Sequence, residues 1–259
     1  MNKILLYEIH NTIRNKWIII YSFFFFFIGY ALFAFSGDGS KAFISLMNIV
    51  LFIIPIVALV FGSIFLYNSR EFIEMMLSQP IDRKSLFFGL YLGTALPLIF
   101  SWIIGITIPY FLFTVNYNNT EELILVIIIG SLLTIIFTAI AFLIALKQDD
   151  KSKGLAYSIF VWLILAILYD GLVLLIIYTF EDYPLDKFII GLSIINPIDL
   201  GRIFFLIQFN ISALMGYTGA IFQKFFGANL GIVISSFCMI LWVILPVYLS
   251  LKLFGKKDF

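Results

Sequence analysis

"REFIEMMLSQPIDRKS", residues Arg70 to Ser85, lies between two long apolar runs and gathers six charged residues in a 259-residue chain that is 63% hydrophobic and 12% charged. Within it Glu71, Glu74 and Ser78 fall at spacings of three and four and share one helical face, while Phe72, Met75 and Met76 occupy another. The helix continues from the preceding apolar run at Asn68 to Leu77, and Pro80 stops it. Asp82 caps the next helix, whose first turn carries Arg83 and Lys84 before another apolar run opens at Leu86. The pattern describes a short rigid helix at a membrane surface, joining two spans. Such an element can receive a push from a soluble partner and pass it to both neighbours; an ordinary solvated loop is the other reading.

The rest of the chain supports a membrane setting. With a mean hydropathy of +1.10 and so few charges, it cannot cover a water-facing surface. Runs long enough to cross a bilayer occur at roughly 17–35, 45–67, 86–113, 122–146, 155–179 and 229–252. Six spans put both termini on one side, and Lys and Arg flanking spans are retained in the cytoplasm. With the termini inside, the inner segments hold Lys3, Arg14, Lys16, Arg70, Arg83, Lys84, Lys147, Lys151, Lys153, Lys252, Lys256 and Lys257. The outer segments hold Lys41, Lys187, Arg202 and Lys224. Both termini are therefore expected in the cytoplasm, with "TVNYNNTEE" (114–122) as an exterior hairpin. Before the first span, residues 1–16 read as an amphipathic interfacial helix: Leu5, Leu6, Ile9 and Ile13 on one face, Lys3, Glu8, Asn11, Arg14 and Lys16 on the other.

Several function classes fall away. A net charge of +1 leaves no basic stripe for nucleic acid. The single Cys238 forbids an intrachain disulfide, and the polar N-terminal segment is unlike a cleavable signal. His10, the one histidine, has no second imidazole with which to share a metal. There is no G-x-x-x-x-G-K-[ST] phosphate loop, so this chain does not hydrolyse ATP by that mechanism.

The string "EFIEMMLSQPIDR" (71–83) resembles the acidic, Leu-Ser-x-Pro-x-x-Arg segment between the second and third spans of permeases in the type-2 ABC exporter class. The resemblance takes in the N-terminal helix, the six spans and the ending "KLFGKKDF". It implies an all-α integral membrane permease with a coupling helix contacted by a separate ATPase subunit, at Arg70, Glu71, Glu74, Met75, Leu77, Ser78, Pro80 and Arg83. It implies a homodimer, because two ATPases must sandwich two nucleotides; ATP and magnesium belong to that partner, and this chain carries no cofactor.

A narrower resemblance lies in the C-terminal half. "DKSKGLAYSIFVWLILAILYDGLVLLIIY" (150–178), "INPIDLGRIFFL" (195–206) and the small-residue stretch "SALMGYTGA" (212–220) look like the NosY family, permeases of transporters that support maturation of copper-containing nitrous oxide reductase. The shared features here are Lys151 with Ser152, Trp162, Asp170 and Asn196 through Arg202. This implies a bacterial inner-membrane protein with a NosF-like ATPase, a periplasmic NosD-like protein and, indirectly, a NosL-like copper chaperone. An exporter of a drug, lipid or other small molecule is the alternative function.

Between the fifth and sixth spans, Phe180 to Ala228 is too long for a connector and too apolar for disorder. Asn196 caps a helix, Pro197 suits its first position and Asp199 complements its amides, so a helix runs from Pro197 to about Phe209. Ile198, Ile203, Phe204, Leu206 and Ile207 cover most of it, which places it at the outer membrane boundary with Arg202 as its firm charge. The residues alone allow a lid or a docking platform; the NosY resemblance implies docking at Asn196, Pro197, Asp199 and Arg202.

Asp170 sits in the fifth span, where a charge costs on the order of 3 kcal/mol and needs a partner. No basic residue lies at helical spacing, so the partner must come from another span or subunit. A structural acid and a gating residue are both open readings. An intramembrane enzyme would use Asp170 as its acid, but lacks a second convergent acid or nucleophile. Pro55, Pro97 and Pro109 are candidate hinges in spans two and three. Met47, Met215, Cys238 and Met239 are too dispersed to form a copper conduit, and no metal site is assigned.

Overall fold

A computed structural model describes residues 2–113, 120–180, 186–208 and 216–257, with the side chains of 2–3, 186–187, 208 and 216–230 excepted. Among the described residues the regular structure is entirely helical. In chain order the helices are α1 (Asn2–Ile13), α2 (Lys16–Phe35), α3 (Gly39–Asn68), α4 (Arg70–Leu77), α5 (Arg83–Phe113), α6 (Thr120–Lys147), α7 (Lys151–Leu163), α8 (Tyr169–Thr179), α9 (Asp186–Ile195), α10 (Pro197–Gln208) and α11 (Gly216–Lys256). A π-helical turn, Ile164–Leu168, joins α7 to α8 without a break in direction of the chain's helical course.

Six helical stretches are long and apolar enough to cross a membrane, and they lie over the six runs read from the sequence. They are Lys16–Phe35, Gly39–Asn68, Arg83–Phe113, Thr120–Lys147, Lys151–Thr179 and Gly231–Lys256. The chain is a multi-pass membrane protein. Local chemistry sets where the helices begin: Asn15, Asp38, Asp82, Asp150 and Asn196 each accept a hydrogen bond from an amide in the first turn that follows. The caps expected at Asp82 and Asn196 are among them. The exterior hairpin expected at 114–122 falls largely outside the described residues, as do Met215 and much of "SALMGYTGA".

The spans differ in how much of their surface the chain itself covers. In α3, α5 and α6 half or more of the apolar window is buried, against 6% in the fifth span. The middle three form the core, and α7–α8 runs along its edge. Trp102, Tyr110, Phe25, Phe33 and Phe43 fill one continuous cluster, with Phe33 edge-on to Phe43 at 5.2 Å and to Tyr110 at 5.8 Å. A second cluster, around Phe87, Tyr91, Phe142 and Phe254, sits at the end of the bundle where the chain starts and finishes. That end is called the terminal end below.

The last helix is longer than the sixth apolar run, since it already begins at Gly216. Its membrane-crossing part is Gly231–Lys256, so the first turns of the helix fall within the exterior segment read from the sequence. Helix α9 of that segment had no counterpart in the sequence reading.

Candidate functional site

At the terminal end, α3 stops at Asn68 and α4 starts afresh at Arg70, rather than running on as one helix. The break falls at Ser69, whose hydroxyl donates back to the Phe65 carbonyl at 2.8 Å and competes with the helical ladder. Leu77 ends α4 three residues before Pro80. Ile73 is buried in the terminal cluster, with Phe72, Met76 and Leu77 packed beside it. Glu71, Glu74, Met75 and Ser78 face outward. Met75 is 53% exposed, so it belongs with the two glutamates and not with Phe72 and Met76; a spacing of four from Glu71 and three to Ser78 puts it on their stripe.

Arg70 and Arg83 point the other way, into the bundle. Arg70 lies over the Tyr67 ring at 4.8 Å and donates to the carbonyls of Asp149 at 2.9 Å and Gln148 at 3.0 Å, just past the end of α6. Arg83 donates to the carbonyls of Gly255 at 3.2 Å and Lys257 at 3.0 Å, at the end of α11. Lys257 closes the circuit by donating to the Leu146 carbonyl and to the Asp149 carboxylate, both at 2.7 Å. Helix C-termini carry unsatisfied carbonyls and partial negative charge, which is what these cations meet. The Lys257 ammonium holds the Asp149 carboxyl below the usual carboxylate range.

The N-terminal helix adjoins α4. Tyr7 stacks on Phe72 with ring centroids 5.7 Å apart, and Ile4 and Glu8 rest on Gly89 and Gly93 of α5. The two faces read from the sequence are thus crossed: Glu8, placed on the polar face, is 2% exposed, whereas Leu6 and Ile13, placed on the apolar face, are exposed. Gly93 makes the notch that admits Glu8, because a Cβ there would stand 2.5 Å from the Glu8 Cβ. Burial pushes the Glu8 carboxyl up, partly offset by a hydrogen bond with Asn11.

At the opposite end, α9 and α10 meet at Asn196 with a bend of 109°. α10 is not at the boundary of the bundle. A Cβ on Gly201 would lie 3.0 Å from Ile129 and 3.2 Å from Leu51, and Leu51 is about 18 Å along α3 from its start at 1.5 Å per residue. Ile198, Leu200, Ile203, Phe205 and Ile207 are all buried. The two helices together have the length and apolarity of a span folded back on itself.

Neutral hydrogen bonds hold the bend. The Asn196 amide donates to the Leu165 carbonyl at 2.9 Å while its oxygen accepts from the Ile198 amide at 3.0 Å. Leu165 belongs to the π-helical turn, where the change from i→i+4 to i→i+5 bonding makes a carbonyl available to a side chain. Tyr169 donates to the Leu192 carbonyl, and the Trp242 indole donates to the Ile194 carbonyl at 3.0 Å.

Beside these bonds lies the partner that Asp170 requires. Arg202 reaches Asp170 at 3.0 Å and Asp199 at 3.3 Å. Residues assigned separately, to the membrane interior and to exterior docking, form one ionic cluster. Asn196, Pro197 and Asp199 are buried, and the Arg202 side chain is one-third exposed. The second convergent acid missing from the sequence reading is Asp199. Both carboxylates are occupied by one guanidinium, and the adjoining cavity, lined by Arg202, Asn48 and Met47, measures only about 100 Å³. The arrangement is suited to fastening a hairpin; it leaves little room for a substrate beside an acid pair.

The other motif residues also join elements. Lys151 donates to the Asn68 side chain at 2.9 Å, Ser63 and Ser158 are 2.7 Å apart, and the Trp162 indole donates to the Phe52 carbonyl at 3.0 Å with its ring edge-on to Phe52. All three pairs tie the fifth span to α3. Among the described residues no group of three or more His, Cys, Asp or Glu side chains is placed to hold a metal.

Six spans, an amphipathic helix beside a short surface helix after the second span, and a folded-back pair before the sixth together describe a transporter permease. Residues 31–259 match the family of ABC-2 family transporter proteins, and the chain belongs to that family. It is a permease subunit of an ABC transporter. Within the family it is similar to two proteins each described as a probable ABC transporter permease protein NosY. The one from Pseudomonas aeruginosa is 24% identical over 226 residues, 81% of this chain and 82% of the relative. The one from Stutzerimonas stutzeri is 22% identical over 269 residues, 96% of each.

Proposed function

We propose that this chain is a NosY-like permease in a bacterial inner membrane, with both termini cytoplasmic, and that it couples ATP hydrolysis by a NosF-like subunit to a periplasmic NosD-like protein in copper-site maturation of nitrous oxide reductase. The observation that carries the coupling role is the outward stripe of Glu71, Glu74, Met75 and Ser78 on a helix locked from behind. A partner that bears on this stripe moves α4 against the end of α6, to which Arg70 is bonded, and through the turn after Leu77 presses on the start of α5, which Arg83 ties to the end of α11. Leu77 and Pro80 fix where the lever ends. The fifth span, scarcely covered by its own chain, is the face assigned to a second copy, with lipid filling what that copy leaves. Asn196, Pro197, Asp199, Arg202 and Asp170 act from inside, holding the hairpin whose outer surface meets the periplasmic protein.

The test is purification of the native complex in gentle detergent with and without Glu74→Lys. The unaltered chain is expected to bring down an ATPase and a periplasmic protein. Glu74→Lys should lose the ATPase at least tenfold, while the amount of chain in the membrane stays the same. Normal ATPase recovery and normal stimulation of hydrolysis with that variant would overturn the coupling assignment. Recovery of the ATPase without the periplasmic protein would favour the small-molecule exporter.

A further inference from the structure

We propose that the groove between the start of α5 and the end of α11 is a binding site for the headgroup of an anionic phospholipid. The groove has a volume of about 670 Å³ and is lined by Arg83, Lys84, Tyr248, Lys252 and Lys256, with Asp82 as its one carboxylate. Four cations therefore converge in a protein whose net charge is +1.

Not all of that charge is free. Arg83 is spent on the Gly255 and Lys257 carbonyls, which lashes the two walls of the groove together. Asp82 is spent as well, since its carboxylate caps α5 through the Ser85 amide at 3.1 Å. Lys84, Lys252 and Lys256 are exposed. Lys84 stands in the first turn of α5, a turn without acidic residues, where the helix dipole disfavours a cation. Lys252 and Lys256 are four residues apart and share one face of α11. Three ammonium groups on two walls match an anion placed between them.

The face of α11 that leads to this groove fits the remainder of the lipid. Leu241, Leu245 and Tyr248 are 47%, 57% and 60% exposed and precede Lys252 at spacings of four, three and four. An acyl chain can lie along the leucines, the tyrosine occupies the interfacial level, and the phosphate meets the lysines. A soluble anion would find the same cations but would leave this apolar track unused. Basic pockets between spans at the membrane surface are suited to anionic headgroups, with each nearby cation adding attraction.

The experiment uses the full chain, stripped of lipid in a neutral detergent, with thermal unfolding followed as lipid is added. Dioleoyl phosphatidylglycerol is expected to raise the midpoint by on the order of 5 °C, as a ligand bound only by the folded state does. Dioleoyl phosphatidylcholine and glycerol 3-phosphate should each produce less than a third of that rise. The variant Lys84→Gln/Lys252→Gln/Lys256→Gln should lose the selective rise, and the corresponding triple Lys→Arg variant should keep it. Equal rises with the two lipids, or the full rise with glycerol 3-phosphate, would overturn the proposal even if the glutamine variant fails to fold. A glutamine variant that keeps the phosphatidylglycerol rise but no longer binds the ATPase would overturn it in favour of a protein-facing surface. The result does not depend on the NosY-like reading, which the pull-down tests separately.

Discussion

The two ends of the bundle are fastened by different chemistry. At the terminal end, Arg70, Arg83 and Lys257 donate to carbonyls at the ends of α6 and α11, at positions partly open to solvent. At the opposite end, Tyr169 and Trp242 donate neutral bonds to carbonyls of α9, Asn196 donates one to the Leu165 carbonyl of the fifth span, and the charges form one half-buried cluster of Arg202 with Asp170 and Asp199. Arg70 and Lys257 are no more exposed than Arg202, but the carboxylate they share, Asp149, stands open to solvent, and such pairs are individually weak. A half-buried guanidinium between two carboxylates cannot be withdrawn without stranding them. The first arrangement suits a surface that yields to a partner; the second suits a hairpin that must move, if at all, as one piece.

The largest effect is therefore expected from Arg202→Met. Removing one partner of a fully buried ion pair costs about 3–5 kcal/mol. With Arg202 and Asp170 each about one-third exposed, roughly 2 kcal/mol is expected here, read as a lower unfolding midpoint in detergent. Adding Asp170→Asn should recover part of the loss, since it removes one of the stranded charges. If the double variant is as unstable as the sum of the singles, the cluster does not act as a unit and the contrast between the two ends fails.

The cluster also marks where the sequence stops being readable. The spans were legible because length and apolarity suffice to define them, and the caps at Asp82 and Asn196 because a cap is made with residues two or three positions on. The Asp170 partner was not, although Arg202 had been singled out. The two are 32 residues apart, and the intervening α9 has no cap or periodicity that announces a helix. The π-helical turn in "ILAIL" carries no Gly or Pro to signal it, yet it supplies the carbonyl that Asn196 uses. On α4 the face of Met75 was misjudged because its spacing fits both stripes, and only the buried Ile73 decides which way the helix is turned.

A smaller effect is expected from Arg70→Gln. It removes charge-assisted bonds to the end of α6, but water can replace the guanidinium at a site where Arg70 is partly exposed and Asp149 fully so. A loss of about 1 kcal/mol in unfolding stability is expected, together with a weaker stimulation of the ATPase by the permease. A loss as large as that of Arg202→Met would show that the terminal end is as rigid as the other and would remove the reason for calling α4 a yielding element.

The smallest effect tests Glu8, the buried acid among the described residues of the terminal end. Glu8 is held against the Gly93 notch, and burial raises its folded pKa above the ordinary 4.5. The folded state then binds the proton more tightly than the unfolded one, so docking of α1 on α5 is most stable below pH 4.5 and weakens as the pH rises through the raised value. Glu8→Gln keeps the size and the hydrogen-bonding capacity with Asn11 but cannot ionise. Amide exchange in α1, corrected for its intrinsic pH dependence, should show protection that falls with pH in the unaltered chain and stays level in the variant. Parallel profiles would mean that Glu8 binds its proton equally well docked and undocked, and that its burial against Gly93 does not govern how α1 is held. A difference would make the grip of α1 on the bundle depend on protonation of Glu8.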